Sequence, residues 1–425
     1  VSRFRLRPTP AQEQALLAHC AHARFVWNLA VAQHARWRPG RAPAPGYHEQ
    51  SRQLTEARAE FAWLRAGSQT VQQQALRDFA QAMAAFFAGT HGRPTWRKAG
   101  RHEGFRIVGP RGPRGWDVRR LSRRVGEVRI SKVGWVRFRW SRPIPVTSKS
   151  YRVARDRAGR WHLAFAVVPP PIPGPGTGRV VGLDRGVVVS AALSTGELLF
   201  SPAPPARGKG RLRRLQRRLA RARPGSRRRE KVKAAVARVR AREADRRKDW
   251  VEKTSTDLAR RFDVIAVEDL RIRNMTTSGR GTAQSPGKNV RQKAGLNHAI
   301  LSSCWGALVQ RLEDKAPDRV VRVNPRHTSQ RCSACGIVDA KARESQACFR
   351  CRSCGYACNA DVNAARNIRH AAGHAVSARE GPRVAGPVHR EPQPALLSVW
   401  AGGLESPDLR GGRQAAKSRV SPPRV

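Results

Sequence analysis

Six of the chain's eight cysteines fall between Cys332 and Cys358, and their spacing is that of a metal site. Cys332-Ser333-Ala334-Cys335 and Cys351-Arg352-Ser353-Cys354 are two C-x-x-C pairs with 15 residues between them, within the range of a four-cysteine zinc ribbon. Four thiolates are soft anionic ligands that can enclose Zn2+ tetrahedrally and leave no position open for water, so such an ion is structural. Cys348 offers a rival pair, Cys348-Phe349-Arg350-Cys351. The residue after each pair decides between the registers: Gly336 and Gly355 follow Cys335 and Cys354, whereas Arg352 follows Cys351. A turn closing around a metal commonly needs positive φ there, which glycine adopts without steric cost. The expected zinc ligands are Cys332, Cys335, Cys351 and Cys354, with Cys348, Cys358 and His327 outside the set.

Three carboxylates form a second candidate group. Arg179 to Leu183 and Val264 to Val267 read as apolar strands ending at Asp184 and Glu268, and Asp361 stands at the start of a helix in Asn359-Ala360-Asp361-Val362-Asn363-Ala364-Ala365. Each acid alone has a plainer explanation, a solvated strand end or a helix N-cap. Together they suit a two-metal phosphodiesterase. Mg2+ is a hard cation that takes carboxylate and phosphate oxygens, and two ions about 3.5 to 4 Å apart can activate water on one side and stabilise the leaving oxygen on the other.

Composition points to a polyanionic partner. Lys and Arg number 83 against 30 Asp and Glu, a formal charge of +53, which predicts salt-dependent binding to nucleic acid. Arg-rich, Ala-, Gly- and Pro-rich usage fits GC-rich coding, but that does not explain the scarcity of acids. No apolar run approaches the roughly 20 residues that span a bilayer, so no membrane partner is expected. The chain opens Val1-Ser2-Arg3-Phe4 with no apolar stretch behind it. That argues against a secretory signal and a disulfide framework, and a cytoplasmic location is expected. Cys20 and Cys304 lie in apolar helical patterns and are expected to be buried small hydrophobes.

The elements that must position these groups follow from periodicity. Thr9-Pro10-Ala11-Gln12 reads as an N-cap, a first-turn Pro and a capping-box Gln. A helix to about Trp37 follows, with Leu16, Cys20, Ala23, Trp27 and Ala30 on one face, and Leu76, Phe79, Met83, Phe86 and Phe87 mark a further core-facing helix. From Phe105 to Val168 the period changes to two, as in Val136, Phe138, Trp140 and Trp161, Leu163, Phe165, Val167, which predicts a small antiparallel sheet or barrel. Pro169 to Gly178 is a linker. A strand, a turn at Ser194 to Glu197 and a second strand open the next region.

Between Lys209 and Lys248 there are 19 Lys or Arg and three acids. Leu212, Leu215 and Leu219 form one stripe and Val232, Val236 and Val239 another, so this is a helical hairpin turning at Pro224-Gly225, favoured as a nucleic-acid contact. A loop from Thr276 to Gly295, one helix through Leu301, Trp305, Leu308 and Leu312, and a strand at Val320 to Val323 complete the reading. Beyond Gly373 a Gly-, Pro- and Arg-rich tail is expected to be disordered.

GLDRG around Asp184, VEDL around Glu268, TSQRCSACG, FRCRSCG and NADVNAARN around Asp361 resemble the transposon-encoded TnpB proteins, also called OrfB-type transposases, relatives of compact type V CRISPR nucleases. The resemblance runs from about Phe4 to His370. It implies a multi-domain α/β protein with an RNase H-like RuvC nuclease domain carrying an inserted zinc ribbon. A helical recognition lobe and a small wedge-like β-barrel precede that domain. The implied boundaries are a first barrel strand at 1–8, a recognition lobe at 9–100, the barrel at 101–170 and a linker at 171–178. The nuclease domain follows at 179–326 with its basic hairpin at 208–250, then the ribbon at 327–358, a last nuclease motif at 359–372 and the tail at 373–425.

On this resemblance Asp184, Glu268 and Asp361 match the three catalytic acids that bind Mg2+, expected as two ions. The partners are a guide RNA from the transposon end and a target DNA, with base pairing supplying sequence specificity; the oligomeric state is left open. Arg185 departs from the aliphatic residue that many relatives carry after the first acid. The leading expectation is an RNA-guided, Mg2+-dependent DNA endonuclease. The alternatives are a nuclease-silent RNA-guided DNA-binding regulator and a transposase acting without RNA.

Overall fold

The structure, a computed structural model, describes residues 2–38, 40, 42–108, 117–145, 148–345 and 347–379. The chain begins with strand β1 (Ser2–Arg7), then α1 (Pro10–Ala35), α2 (Tyr47–Glu60), α3 (Ala62–Ala66) and α4 (Gln69–Phe87). Six strands follow: β2 (Gly104–Val108), β3 (Val118–Arg120), β4 (Val125–Ile130), β5 (Gly134–Arg139), β6 (Ser150–Arg155) and β7 (Trp161–Phe165). Thr9 and Gln12 form the expected capping box at the start of α1.

These strands make one seven-stranded sheet in the order β2-β6-β7-β1-β5-β4-β3, with β1 inserted antiparallel between β5 and β7. Alternation sends Phe4, Leu6, Val136, Phe138, Leu163 and Phe165 inward. They share a single core with Leu16, Cys20, Ala23, Trp27 and Ala30 of α1 and Leu76, Phe79 and Met83 of α4. The sheet rolls enough for the Tyr151 hydroxyl on β6 to donate to the Arg129 carbonyl on β4, 3.4 Å away, across three intervening strands. Phe87 departs from the core expectation: it is 75% exposed at the last residue of α4.

The second half is built on strands β8 (Val180–Asp184), β9 (Ala191–Leu193), β10 (Leu198–Leu199), β11 (Val264–Glu268) and β12 (Val320–Val323), in the order β10-β9-β8-β11-β12. The first three run antiparallel, whereas β11 pairs parallel with both β8 and β12. Helices α5 (Ala206–Arg221) and α6 (Arg227–Arg261) separate β10 from β11. Between β11 and β12 lie α7 (Ile272–Met275), α8 (Val290–Ser302) and α9 (Trp305–Lys315), and the described chain ends with β13 (Cys348–Arg350), β14 (Ala357–Asn359) and α10 (Ala360–Arg379).

Strand alternation divides this sheet into two packed faces. Val181, Leu183, Ile265 and Val267 pack with Leu258 and Phe262 of α6 and Leu308 and Leu312 of α9; Ala266 and Val323 pack with Ile368 and Ala372 of α10. Full burial of each Val, Leu, Ile or Phe among them contributes about 1.5–3 kcal/mol. The linker is pinned rather than free: Ile172 exchanges backbone and side-chain hydrogen bonds with Lys315 and Arg319, and Asp263 accepts from the Gly176 and Thr177 N–H groups.

Five other expectations need correcting. The stretch read as one helix through Leu301 and Leu312 is two, broken at Ser303 and Cys304, and Leu301 is 63% exposed. Cys304 is therefore not a buried helical residue but a half-buried cap at φ 65°. The loop assigned to Thr276 to Gly295 ends at Asn289, because α8 has already begun. The basic hairpin extends to Arg261, and α10 continues past Gly373 to Arg379; the remainder of the expected tail, 380–425, lies outside the described residues. No described helix is long and apolar enough to cross a membrane.

Candidate active site and four-cysteine cluster

Strand register brings the first two acids together. Leu183 of β8 lies opposite Val267 of β11 in a parallel pair, so Asp184 and Glu268 leave the sheet side by side at its carboxyl edge. Ligands of α/β sheets bind at that edge. Asp361 arrives on α10, whose backbone presses on β8 at Gly182: a Cβ there would stand 2.0 Å from the Ala365 carbonyl oxygen. The first turn of α10 is thereby set against the β8 end, and Asp361 Oδ2 is 3.7 Å from where a Cβ on Gly186 would be.

The plainer readings of these acids do not hold. Asn359, not Asp361, caps α10, its Oδ1 accepting from the N–H groups of Asp361 and Val362 at 3.0 and 3.1 Å. Glu268 is 8% exposed and accepts a 2.6 Å hydrogen bond from the Thr328 hydroxyl. The Asp184 carboxyl is pushed up to about 7, first by burial and then by the Glu268 and Asp361 carboxylates, against the Arg343 guanidinium and the Arg185 backbone N–H. Burial also raises Glu268, opposed by the Thr328 hydrogen bond and the Arg185 charge. Asp184 and Glu268, buried and held above their ordinary range, suit a hard divalent cation, whose charge would remove that cost.

Two arginines complete the site. Arg343 pairs with Asp361 Oδ1 at 3.0 Å. Arg185, 6% exposed, donates to the backbone carbonyl of Glu268 and so ties the ends of β8 and β11. Arg343 carried no signal in a chain with 83 Lys and Arg. Thr328 lay within the TSQRCSACG motif, but nothing in a sequence says which carboxylate a threonine will meet.

The four cysteines converge separately. Among the described residues they are the only group of three or more His, Cys, Asp or Glu side chains found close enough to hold one metal ion, their ligand atoms all within 4.8 Å of one another. Cys332 and Cys354 sulfurs are 3.7 Å apart, as are those of Cys335 and Cys351. A tetrahedron of Zn–S bonds of about 2.3 Å has edges of about 3.8 Å, so the donor set fits zinc. The two halves repeat each other: Gly336 N–H bonds Cys332 O and Gly355 N–H bonds Cys351 O, at 2.9 and 3.0 Å. Both glycines have positive φ, 80° and 73°. Cys348 and Cys358 point elsewhere, to Glu344 and to the Asn359 carbonyl.

The hairpin offers a third feature. Leu215, Val232, Val236 and Val239 close a core between α5 and α6, which turns Arg213, Arg214, Arg217 and Arg218 outward as exposed side chains. A surface of one sign without its own counter-charges favours a polyanion.

Comparison with known proteins follows the same map. A family described as "Probable transposase", OrfB_IS605, matches residues 162–279, a "Cas12f1-like, TNB domain" matches 305–368 and a "Helix-turn-helix domain" of the OrfB family matches 2–40. In this last stretch the described residues form one strand and one continuous helix. InsQ of Escherichia coli (strain K12), a proposed RNA-guided DNA endonuclease, is 34% identical over 386 residues, 88% of this chain and 92% of that protein. A proposed RNA-guided DNA endonuclease of Streptomyces pristinaespiralis is 32% identical over 93% of this chain and 97% of its own length. The CRISPR-associated endodeoxyribonuclease Cas12f1 of Sulfoacidibacillus thermotolerans is 54% identical over 55 residues, 13% of each chain.

Proposed function

Because the chain belongs to the OrfB-type transposase family, the TnpB proteins, we propose that it is a transposon-encoded, RNA-guided DNA endonuclease of RuvC type. Its partners on this reading are a guide RNA from the transposon end and a target DNA paired to it, met in the cytoplasm. The observation that carries the reading is the meeting of Asp184, Glu268 and Asp361 at one sheet edge from β8, β11 and α10. The strand order β10-β9-β8-β11-β12, with three antiparallel strands and then parallel additions, supports an RNase H-like domain.

Asp184, Glu268 and Asp361 would hold Mg2+, read as two ions. Bound there, the cations would supply Lewis acidity at the scissile phosphate and lower the cost of ionising water. The protein's own groups do the rest. Thr328 orients Glu268, Arg343 holds Asp361 and Arg185 keeps the two strand ends in register. The arginines of the hairpin draw in phosphates, while Cys332, Cys335, Cys351 and Cys354 hold a structural Zn2+ that orders the segment before Asp361.

The test is purification with the transposon-end RNA and incubation with a guide-matched plasmid in Mg2+. Cleavage that disappears in Asp184→Ala is the expected result; no cleavage, or equal cleavage by the variant, refutes it. Retention of all three acids at one edge disfavours a nuclease-silent regulator. RNA that co-purifies separates the proposal from a transposase acting alone, which needs none.

A further inference from the structure

Two asparagines on α10 are almost wholly buried, Asn363 at 0% and Asn367 at 5% exposure. Four residues apart, they share one face of the helix, and burying an amide is unfavourable unless its groups are paired. Every side-chain hydrogen bond they make goes to one loop. Asn363 Nδ2 donates to the Arg331 carbonyl at 2.7 Å and its Oδ1 accepts from Ser333 N–H at 2.9 Å. Asn367 Nδ2 donates to the carbonyls of Thr328 and Arg331 at 2.9 and 2.7 Å. Backbone polarity fixes which end of the Asn363 amide is which.

That loop joins two sites. Its far end enters the first cysteine pair at Cys332, and its near end is Thr328, itself 7% exposed. The Thr328 hydroxyl has one proton and two acceptors in reach, Glu268 Oε1 at 2.6 Å and the Pro325 carbonyl at 3.0 Å. The shorter contact to a charged acceptor is the stronger.

We infer that Thr328 is a positioning residue for Glu268, and that Asn363 and Asn367 make its position depend on the zinc-organised cysteine cluster. The inference rests on the reading of Glu268 as a metal-binding acid. Zinc at the four thiols, by ordering Arg331 to Ser333, holds Thr328 against α10, and Thr328 in turn aims one Glu268 oxygen. The structural metal thereby governs cation affinity at the carboxylate site without touching it.

The test measures Mn2+ binding to the zinc-loaded full-length chain by electron paramagnetic resonance, Asp184→Ala defining the part that depends on the carboxylates. Manganese prefers oxygen ligands and leaves the thiol site to zinc. Thr328→Val is expected to weaken that binding about 10- to 100-fold at unchanged zinc content and melting temperature, and to lower kcat rather than raise KM. Thr328→Ser restores both. Asn367→Leu weakens Mn2+ binding likewise and speeds zinc release to a chromogenic chelator.

Cys335→Ser is expected to weaken Mn2+ binding in the wild-type background and to add nothing in the Thr328→Val background, since both act through one hydroxyl. Wild-type affinity in Thr328→Val, or losses that simply add, overturns the coupling. Absence of any Asp184-dependent Mn2+ binding in the wild type overturns the coupling and the metal reading together.

Discussion

Gly182 and Ala365 are in backbone contact: a Cβ on Gly182 would meet the Ala365 carbonyl oxygen at 2.0 Å and Arg369 N at 2.6 Å. Both are main-chain atoms of α10, so no side chain can swing aside to make room. This approach is what brings Asp361 to Asp184. Gly182→Ala is expected to push α10 off the sheet, costing about 1–3 kcal/mol, and to reduce cleavage by more than its loss of stability accounts for. A thermal melt and a cleavage rate check it; wild-type values for both would remove the contact from the account.

The raised Asp184 carboxyl gives a pH dependence of definite sign. Its folded-state value of about 7 lies above the ordinary 3.8, so the folded state binds the proton more tightly. The stability this contributes is full below about 4 and is lost as pH rises through about 7. Without added divalent cations, the melting temperature should fall between pH 5 and pH 8 by more in the wild type than in Asp184→Asn. Mg2+ at pH 8 should restore the wild type alone. Parallel curves for the two proteins would contradict this origin of the shift.

The cysteine register is checked by zinc content. Cys351→Ser should lose the ion and, by loosening the segment before Asp361, lower cleavage; Cys348→Ser and Cys358→Ser should keep one zinc per chain. Intact cleavage by Cys351→Ser after zinc loss would show that the ribbon does not order the third acid.

The side chains of Arg213, Arg214, Arg217 and Arg218 are exposed on α5 and make no hydrogen bond or ion pair among the described residues. Replacing all four by Gln should leave the melting temperature unchanged while reducing the slope of log affinity against log salt for nucleic acid by about 3 to 4. Binding titrations at several salt concentrations decide it, and an unchanged slope would return the hairpin to a solvated surface.

Much of this was legible along the chain, wherever a residue's role depends on near neighbours. The period of Leu16, Cys20, Ala23, Trp27 and Ala30 predicted their burial on one face of α1. The glycines after Cys335 and Cys354 predicted which four cysteines converge, because positive φ is a local demand that the next residue must meet. The motifs around Asp184, Glu268 and Asp361 were enough to nominate the acids. Local patterns misled at Cys304, Leu301 and Phe87, where apolar spacing continued across a helix break or to the last residue of a helix.

What tertiary structure alone decided is which groups meet across long separations. Thr328 on Glu268, Arg343 on Asp361 and the asparagines of α10 on the loop before Cys332 are contacts between elements that only packing brings together. Their physical cause is shared: a buried polar group must find a partner wherever the fold supplies one. The sequence determined that three acids and four thiols exist in suitable settings. The closeness of α10 to Gly182 decided that the acids share one sheet edge and that the thiol cluster is tied to it.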